Sequence, residues 1–389
     1  MLVAQVITGV HYQTGQSIQI VVQNGLIKSI TPSDTSNHAQ LPYIAPGLVD
    51  LQVNGYNGVD FNDTSLTVKN VTAVTQQLLA QGVTTYLPTV ITNSDYHIKM
   101  LLSIIAEACD QSNLVSDCIG GIHLEGPFIS LQEGPLGAHD KQHVRAPDWD
   151  LFEQWNAASG NRIKIVTLSP EWAEAAAFTS RCVERGIIVS IGHTAATTEQ
   201  ITAVVDAGAV MSTHLGNGSH QVLPRHPNYI WDQLANDKLS AGFIGDGFHL
   251  PASVIKVILK MKGQKAILVS DSVSLAGMPP GSYHTPVGGG VILTNDGKLH
   301  LLNKPNTLAG SARTLVQAIA HLYKNNISTL PDAINLASAN PASLLGLPHQ
   351  TGLTDGAPAD LALFYKRENA LQIAATYKQG VLVHQSDHR

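Results

Sequence analysis

This sequence of 389 residues has few cysteines, no large excess of positive or negative charge, and no long apolar runs. Its three cysteines lack CxxC spacing, and an odd, scattered set is typical neither of a disulfide framework nor of a zinc finger. This scarcity predicts a reducing compartment, the cytoplasm. The N-terminus has no charged segment followed by a long apolar one, and no run could span a bilayer, so we expect neither export nor membrane anchoring.

Basic residues are too few and too dispersed to form a binding stripe. Lys and Arg number 23 against 29 Asp and Glu, which gives a formal net charge of -6 and a pI near 6.3. Such a surface does not neutralise a phosphate backbone or an anionic lipid surface, so we expect neither nucleic acid nor membrane as a partner. A hydrophobic content of 44% instead favours an enzyme with a large buried core.

From about residue 45 onward, short apolar runs with strand character alternate with segments of helical periodicity. Eight βα units in succession predict a closed (β/α)8 barrel of the α/β class rather than an open sheet. Helices are predicted over 65–81, over 171–185, which follows Pro170 and stops at Gly186, and over 311–325. The predicted strands are 46–54, 83–91, 118–125, 162–169, 187–193, 209–214, 240–246 and 266–271.

Both ends of the chain have the pattern of short strands. The segment 16–30 contains an Asn24-Gly25 hairpin turn, and 355–389 repeats the alternation of apolar and polar residues. Neither end could bury a strand face alone. We therefore predict that 1–45 and 355–389 pair into one small β-sandwich, beside a barrel domain spanning 46–354.

Polar side chains fall at the ends of five predicted strands, and the carboxyl ends of barrel strands converge on one mouth. A lone histidine in an apolar strand is more often a core residue, but several at one mouth reverse that interpretation. Glu125, His193 and His214 form a two-histidine, one-carboxylate set, which for Zn²⁺ leaves a position open for water and which can also hold Fe²⁺. The strand-end residues are Gln52, Asn54, Glu125, His193, His214 and Asp271.

Asp271 follows an apolar run in LVSDS and has two interpretations. It could merely cap the following turn. At the mouth it is better placed as a general base that takes a proton from the attacking water and delivers it to a leaving amine. His139 (GAH) and His249 (DGFH) lie in loops after strands, where each could polarise a carbonyl, hold a sugar hydroxyl or be an ordinary loop histidine.

A series of motifs resembles, in order, that of the N-acetylglucosamine-6-phosphate deacetylases of the amidohydrolase superfamily. One such motif is weak evidence, but the ordered series covers nearly the whole chain from Ile44 to the C-terminal strands. The motifs are PGLVDLQVNG, GVTTYLPTVIT, HLEGPFIS followed by GAH, GHT, THLGNG, DGFH, SDS and LAGSA.

The resemblance implies a hydrolase that binds one divalent metal per subunit at Glu125, His193 and His214, with Asp271 as catalytic acid and base. In the mechanism that this suggests, the metal stabilises the developing oxyanion, and His139 is a candidate to assist it. The resemblance also implies a homodimer, in which Arg225 reaches the phosphate of the substrate in the neighbouring subunit. Contacts to an amino-sugar phosphate are implied for Ala138, Asn217, Gly218, Arg225, His249, Leu308, Ala309 and Gly310.

The sequence departs from the family pattern at three places. Many superfamily members have His-x-His on strand one and bind two metals, whereas Gln52 and Asn54 are neutral amides and poor ligands, which predicts one metal. The loop after His214 reads GNGSH, where an aromatic residue and then Asn-Ala-Met is more usual, and Arg225 lies in RHPN rather than Arg-Glu-Pro-Gly.

These departures leave three functions open. The leading hypothesis is hydrolysis of the acetamide of N-acetylglucosamine 6-phosphate. The second keeps the mechanism but changes the substrate to a galactosamine-type or unphosphorylated amino sugar, because the altered loop is where a phosphate would lie. The third is a non-catalytic barrel that only binds, which the loss of Asp271 or a metal ligand would indicate; all four residues are present.

Overall fold

The computed structural model of the chain describes residues 4–34, 40–285, 289–368 and 370–387. The strands are β1 (Gln5–His11), β2 (Ser17–Gln23), β3 (Leu26–Pro32), β4 (Tyr43–Pro46), β5 (Leu48–Val53), β6 (Gly55–Tyr56), β7 (Val59–Asp60), β8 (Val83–Ile91), β9 (Ile122–Glu125), β10 (Ile163–Leu168), β11 (Ile188–Ile191), β12 (Met211–Ser212), β13 (Ser240–Ile244), β14 (Ala266–Val269), β15 (Gly281–Thr285), β16 (Gly289–Leu293), β17 (Leu299–Leu301), β18 (Lys304–Leu308), β19 (Leu361–Lys366), β20 (Leu371–Lys378) and β21 (Val381–Gln385). The helices are α1 (Val68–Leu79), α2 (Asp95–Gln111), α3 (Asn113–Cys118), α4 (Trp149–Ala158), α5 (Ala175–Glu184), α6 (Thr198–Asp206), α7 (Tyr229–Ala235), α8 (Ala252–Lys262), α9 (Leu315–Lys324), α10 (Leu330–Leu336) and α11 (Ala339–Leu345).

The chain divides into two compact units. The larger one consists of Leu51–Val74 and Leu87–Arg313, and the other of Met1–Asp50, Thr75–Tyr86 and Thr314–Arg389. The predicted domain limits, 46–354 for the barrel and 1–45 with 355–389 for the smaller domain, stay a proposal.

Eight parallel strands form one sheet in the order β5-β8-β9-β10-β11-β12-β13-β14. A parallel bridge between Val53 and Ser272 brings the end of the last strand beside the end of the first, so the sheet closes on itself. Its strands are almost wholly buried, which explains why they are continuous apolar runs rather than alternating ones. The predicted (β/α)8 barrel is confirmed.

Most predicted barrel strands extend one or two residues beyond the observed ones, and two are too long by four residues. The segment 118–125 is a strand only from Ile122, because α3 occupies the residues up to Cys118; the hydroxyl of Ser112 caps this helix by accepting from the Val115 N–H. The segment 209–214 is paired only at Met211–Ser212. The predicted helix 171–185 is likewise shorter and corresponds to α5, which begins at Ala175.

The two ends of the chain meet in a seven-stranded sheet, in the order β21-β20-β19-β4-β1-β2-β3. A bridge between Leu26 and Pro358 joins β3 to the segment before β19, so the sheet curls around a shared apolar core. Asn24 and Gly25 both have positive φ, as the predicted hairpin turn requires. The predicted β-structure built from both ends is therefore confirmed.

The sequence did not predict the antiparallel sheet β15–β18, which follows the last barrel strand. It has a small core that includes Val291, Leu293 and Leu299. Its last strand leads directly into Leu308–Gly310, one of the predicted substrate segments.

The three cysteines are buried and free. In the part of the chain that the structure describes, none of the helices combines the length and the apolar character that crossing a bilayer requires. The reducing compartment expected from the sequence stays a prediction.

Candidate active site

The carboxyl ends of the barrel strands carry the predicted chemistry. Glu125 is the last residue of β9, His193 and His214 follow β11 and β12 by two residues, and Asp271 follows β14 by two. All four lie in the larger unit. The first three are buried, and Asp271 is half-buried.

The backbone at three of these positions adopts the left-handed region, which is unfavourable for residues with a Cβ. The φ angles are 50° at His193, 27° at His214 and 47° at Asp271. Such conformations persist only where the surrounding structure fixes them, and they cluster at functional sites. At His193 a hydrogen bond of 2.9 Å from the Ser130 N–H to the carbonyl oxygen helps to hold the chain.

Glu125, His193 and His214 direct three ligand atoms at one point. The Glu125 Oε1 lies 3.2 Å from the His193 Nε2 and 2.9 Å from the His214 Nε2, and the two nitrogens are 3.0 Å apart. Ligands about 2.0–2.1 Å from a tetrahedral zinc ion are separated by about 3.3 Å, which is close to these distances. The predicted trio is therefore assembled as a candidate metal site.

The hydrogen bonds and charges around the trio fit a bound cation. The His193 Nδ1 is 2.7 Å from the carbonyl oxygen of Pro135 and donates to it, which leaves the Nε2 lone pair facing the other two ligands, as is usual for a metal-binding histidine. Burial alone would raise the pKa of Glu125, but His193 and His214 hold it well below its usual range. Burial disfavours a charged His214, yet the Glu125 carboxylate raises its pKa to about 8. The site thus attracts positive charge.

The two amides on the first strand donate hydrogen bonds to carboxylates. The Gln52 Nε2 donates to the Glu125 Oε1 at 2.9 Å, and the Asn54 Nδ2 donates to the Asp271 Oδ1 at 2.7 Å. An amide could offer a metal only its neutral carbonyl oxygen, which suits Zn²⁺ and Fe²⁺ less well than the nitrogen of an imidazole does.

Asp271 has the environment of a proton-transfer group. Burial raises its pKa to about 6, the nearby Glu125 carboxylate adds to this rise, and His214 and the Asn54 amide oppose it. A carboxyl group with such a pKa is ionised at neutral pH yet is a stronger base than an exposed aspartate.

His139 lies beside the candidate metal site. Its Nδ1 lies 2.8 Å from the Thr92 Oγ1 and its Nε2 lies 3.3 Å from the His193 Nε2. Burial and the neighbouring His193 lower the pKa of His139 to about 3, so the ring is neutral at pH 7. The sequence prediction did not include Thr92, although its place directly after β8 follows the same pattern of polar residues at strand ends.

The loop after His214 lies against the ring of His193. A Cβ on Gly218 would come within 2.7 Å of the His193 Nδ1, so only glycine allows this approach, and its φ of 55° also favours glycine. The backbone N–H of Asn217 donates to the His214 carbonyl at 2.9 Å. Ala138 is exposed, one residue from Gly137, which also packs on the His193 ring.

The same loop continues to Arg225, which is exposed and lies outside the buried set of site residues. His220 lies between Gly218 and Arg225 in this loop and is held by Tyr229. Its backbone N–H donates to the Tyr229 hydroxyl at 2.9 Å, and its Nδ1 lies 3.0 Å from the same oxygen. The His220 Cα is adjacent to Gly134, in the loop that also contains Pro135.

The remaining predicted substrate residues lie near Asp271. The His249 Nδ1 is 2.7 Å from the Asp246 Oδ2, an orienting contact that the sequence prediction missed. Gly310, with a φ of 100°, lies where a Cβ would be 2.6 Å from Val273, two residues after Asp271. The segment Leu308–Gly310 is thus adjacent to the end of β14.

Comparison with known proteins agrees with this geometry. The chain is 33% identical over 324 residues to the N-acetylglucosamine-6-phosphate deacetylase of Bacillus subtilis, an alignment covering 82% of this chain and 80% of the relative. It is 32% identical over 356 residues to the human protein of that name, covering 88% and 84%. It is also similar to the structure of a mutant of the Mycobacterium smegmatis enzyme in complex with N-acetyl-D-glucosamine 6-phosphate, with a TM-score of 0.83, 25% identity and coverage of 98% and 99%.

The family assignment rests on nearly the full length of the chain. A model of the amidohydrolase family, whose members are metal-dependent hydrolases, matches residues 43–383. The chain therefore belongs to the amidohydrolase family and, within it, to the N-acetylglucosamine-6-phosphate deacetylases.

Proposed function

We propose that this protein hydrolyses the acetamide of N-acetylglucosamine 6-phosphate to glucosamine 6-phosphate and acetate. The observation that carries the proposal is the assembly of Glu125, His193, His214 and Asp271 at one barrel mouth, in a chain that aligns with deacetylases over more than four-fifths of its length. A barrel that only bound its ligand would have no need of a half-buried carboxylate with a raised pKa beside the candidate metal site.

Asp271 is the proposed proton carrier. A divalent cation held by Glu125, His193 and His214 would supply Lewis acidity, polarising the acetyl carbonyl and lowering the pKa of the attacking water. Asp271 accepts a proton from that water as the water oxygen bonds to the acetyl carbon. When the carbon–nitrogen bond breaks, Asp271 returns this proton to the nitrogen, and the amine and acetate leave. A pKa near 6 suits both transfers.

His139 is the proposed donor to the oxyanion that forms at the acetyl oxygen. This role requires the tautomer in which the Thr92 hydroxyl donates to Nδ1, so that the neutral ring carries its hydrogen on Nε2, beside the three ligand atoms. A fixed donor in a buried site stabilises developing negative charge more than it would in water. Removal of this hydrogen bond would therefore slow the chemical step.

Zn²⁺ is the proposed metal, at one ion per subunit, with Fe²⁺ as the alternative for the same ligands. The number follows from Gln52 and Asn54, because neutral amides are poor ligands for these ions and both amide nitrogens already donate hydrogen bonds, to Glu125 and Asp271.

The substrate contacts and the homodimer complete the proposal. Ala138, Asn217, Gly218, His249 and Leu308–Gly310 are the proposed sugar-phosphate contacts from the same chain. Arg225, exposed on the loop after His214, is proposed to reach the phosphate in the site of a second copy. We also propose a cytoplasmic location, which the three free cysteines support.

The decisive experiment measures amine release by purified, Zn²⁺-loaded protein. The substrates are N-acetylglucosamine, its 6-phosphate, and the two corresponding galactosamine compounds, each compared with the Asp271→Asn variant as a blank. We expect kcat/KM to be highest for N-acetylglucosamine 6-phosphate. A preference for an unphosphorylated or a galactosamine-type substrate would transfer the function to that sugar. Release no faster than in the blank for all four would contradict the proposed reaction.

A further inference from the structure

A chain of buried polar side chains crosses the barrel interior next to the metal ligands. The His123 Nδ1 lies 3.1 Å from the Leu51 carbonyl oxygen, and its Nε2 lies 2.7 Å from the Thr167 Oγ1. The Thr167 Oγ1 is 2.7 Å from the Thr213 Oγ1, which in turn is 2.6 Å from the Ser190 Oγ. All four side chains are buried.

The order of donors along this chain is fixed by its end at Leu51. A carbonyl oxygen can only accept, so the neutral His123 ring carries its hydrogen on Nδ1 and its Nε2 must accept from the Thr167 hydroxyl. Thr167 has then used its only hydrogen, so Thr213 donates to Thr167. By the same reasoning Ser190 donates to Thr213. Each hydroxyl hydrogen therefore has a single acceptor.

Each member of this hydrogen-bonded chain either lies close in sequence to a proposed metal ligand or pairs with one across neighbouring strands. His123 precedes Glu125 by two residues on β9, and Thr167 is the cross-strand partner of Glu125 on β10. Thr213 directly precedes His214, and Ser190 lies on β11, three residues before His193. The hydrogen bonds therefore tie together the strands from which the three ligands extend.

Gly192, directly before His193, shows how closely this chain is packed. A Cβ at position 192 would lie 2.8 Å from the Thr167 Cγ2 and 2.8 Å from the Thr213 Cβ. The backbone leading to His193 thus passes close to both threonines, near the place where they bond to each other.

We infer that His123, Thr167 and Thr213 are positioning residues for the metal site, which fix the spacing of Glu125, His193 and His214 through the hydrogen-bonded chain. Ligand atoms on separate strands bind a metal tightly only if their supports hold them to within about 0.5 Å. Aliphatic residues would fill the barrel equally well but would not fix the strands by directional bonds. The inference rests on the metal site of the proposed function.

The test measures Zn²⁺ affinity of the folded apoprotein by competition with a chelator, at a temperature well below unfolding. Thr213→Val and Thr167→Val keep the side-chain shape but remove the hydroxyl. We expect each to weaken Zn²⁺ binding by about tenfold or more, the range typical of groups that orient ligands. Thr213→Ser keeps the hydroxyl and should bind Zn²⁺ within about threefold of the unmodified protein, on the same scale of effects.

Thr179→Val is the matched control for the general cost of losing a buried hydroxyl. Thr179 is fully buried on α5, and its Oγ1 donates to the Ala175 carbonyl at 2.7 Å. We expect a lower melting temperature for Thr179→Val with unchanged Zn²⁺ affinity. Equal Zn²⁺ affinities for Thr213→Val, Thr167→Val and Thr179→Val would overturn the inference. The hydrogen-bonded chain would then be a purely structural feature.

Two further results separate the remaining explanations. If Thr213→Val does not fold, Ser190→Ala together with Thr167→Val decides the matter, and unchanged affinity in both would again overturn the inference. If the unmodified protein binds Zn²⁺ no better than the Glu125→Gln variant does, the proposed metal site is contradicted, and the inference is contradicted with it. If the unmodified protein binds Zn²⁺ and the threonine variants bind it equally well, the inference is contradicted but the proposed metal site is not.

Discussion

The Asn54 side-chain amide donates a hydrogen bond of 2.7 Å to the Asp271 carboxylate, joining the end of the first barrel strand to the end of the last. In superfamily members with His-x-His on strand one, the same position is a metal ligand. Here it supports the proposed general base instead. Gln52, two residues earlier on the same strand, likewise donates a hydrogen bond to the Glu125 carboxylate, so each amide binds a carboxylate.

The metal content follows from this arrangement. We predict about one tightly bound divalent ion per chain, because Gln52 and Asn54 are neutral amides and therefore poor ligands for a second ion. Elemental analysis of protein purified without chelators measures the ratio. His193→Ala and His214→Ala should each lower both the metal content and the rate, since each removes a ligand. Two equivalents of metal in the unmodified protein would contradict this prediction.

Asp271→Asn should keep the fold and the metal but lose about 10²–10⁴-fold or more in activity, because an amide cannot accept the proton of the attacking water. Circular dichroism and elemental analysis check the fold and the metal, and kcat is measured on the same preparation. Near-normal turnover by this variant would remove Asp271 from the mechanism.

The Asn54 contact predicts a change in pH dependence. The hydrogen bond from Asn54 lowers the pKa of Asp271, so Asn54→Ala should raise that pKa. A general base works only when ionised, and kcat/KM falls as the pH drops through its pKa. The acid limb of the profile should therefore move to higher pH in Asn54→Ala, with unchanged metal content. A limb that stays in place, or moves to lower pH, would show that another group controls it.

Arg225 tests the phosphate and the dimer together. A guanidinium can form two parallel hydrogen bonds to a phosphate dianion. Arg225→Ala should therefore lower kcat/KM for the phosphorylated sugar by a factor that corresponds to roughly 2–4 kcal/mol of transition-state stabilisation. Activity on an unphosphorylated analogue should barely change. His220→Ala is a useful comparison, because His220 lies in the same loop and is fixed by Tyr229. Equal losses on both sugars would indicate a structural role for Arg225.

Mixing variants tests whether the arginine comes from a second copy. Arg225→Ala mixed with Asp271→Asn should recover some activity after the subunits exchange. A mixed dimer contains one site with an intact Asp271 and an arginine supplied by its partner. If exchange is demonstrated and no activity returns, Arg225 serves the site of its own chain.

A buried ion pair lies in the smaller unit, and breaking it should lower the free energy of unfolding. The Lys378 Nζ lies 2.7 Å from the Asp360 Oδ2, and the side chains are 7% and 3% exposed, so neither charge is well solvated. Lys378→Met leaves the Asp360 carboxylate without its cation, which should cost about 3–5 kcal/mol of unfolding free energy. Chemical denaturation measures the change. The double variant Lys378→Met, Asp360→Asn should recover part of the loss, and a loss as large as in the single variant would contradict a charge-based origin.

The alternation of strand and helix patterns was enough to predict the barrel, and the polar residues at strand ends were enough to predict Glu125, His193 and His214. These signals are local: a buried parallel strand must be apolar throughout, and a side chain at its carboxyl end must face the mouth. The same reasoning failed where local patterns are ambiguous. The residues 118–121 are apolar enough for a strand, yet α3 extends through Cys118 and β9 begins only at Ile122.

Other features depended on closure of the barrel. Asn54 and Asp271 are 217 positions apart, and His123 meets Thr167 across 44 positions, so no periodicity could pair them. Likewise, the carbonyl of Pro135 holds His193 through a backbone atom that every residue type possesses. The sequence by itself determined which side chains stand at the mouth, because each strand places its own end. Only the tertiary structure decided which of them donate to one another, because hydrogen bonding requires separations of about 3 Å between distant segments.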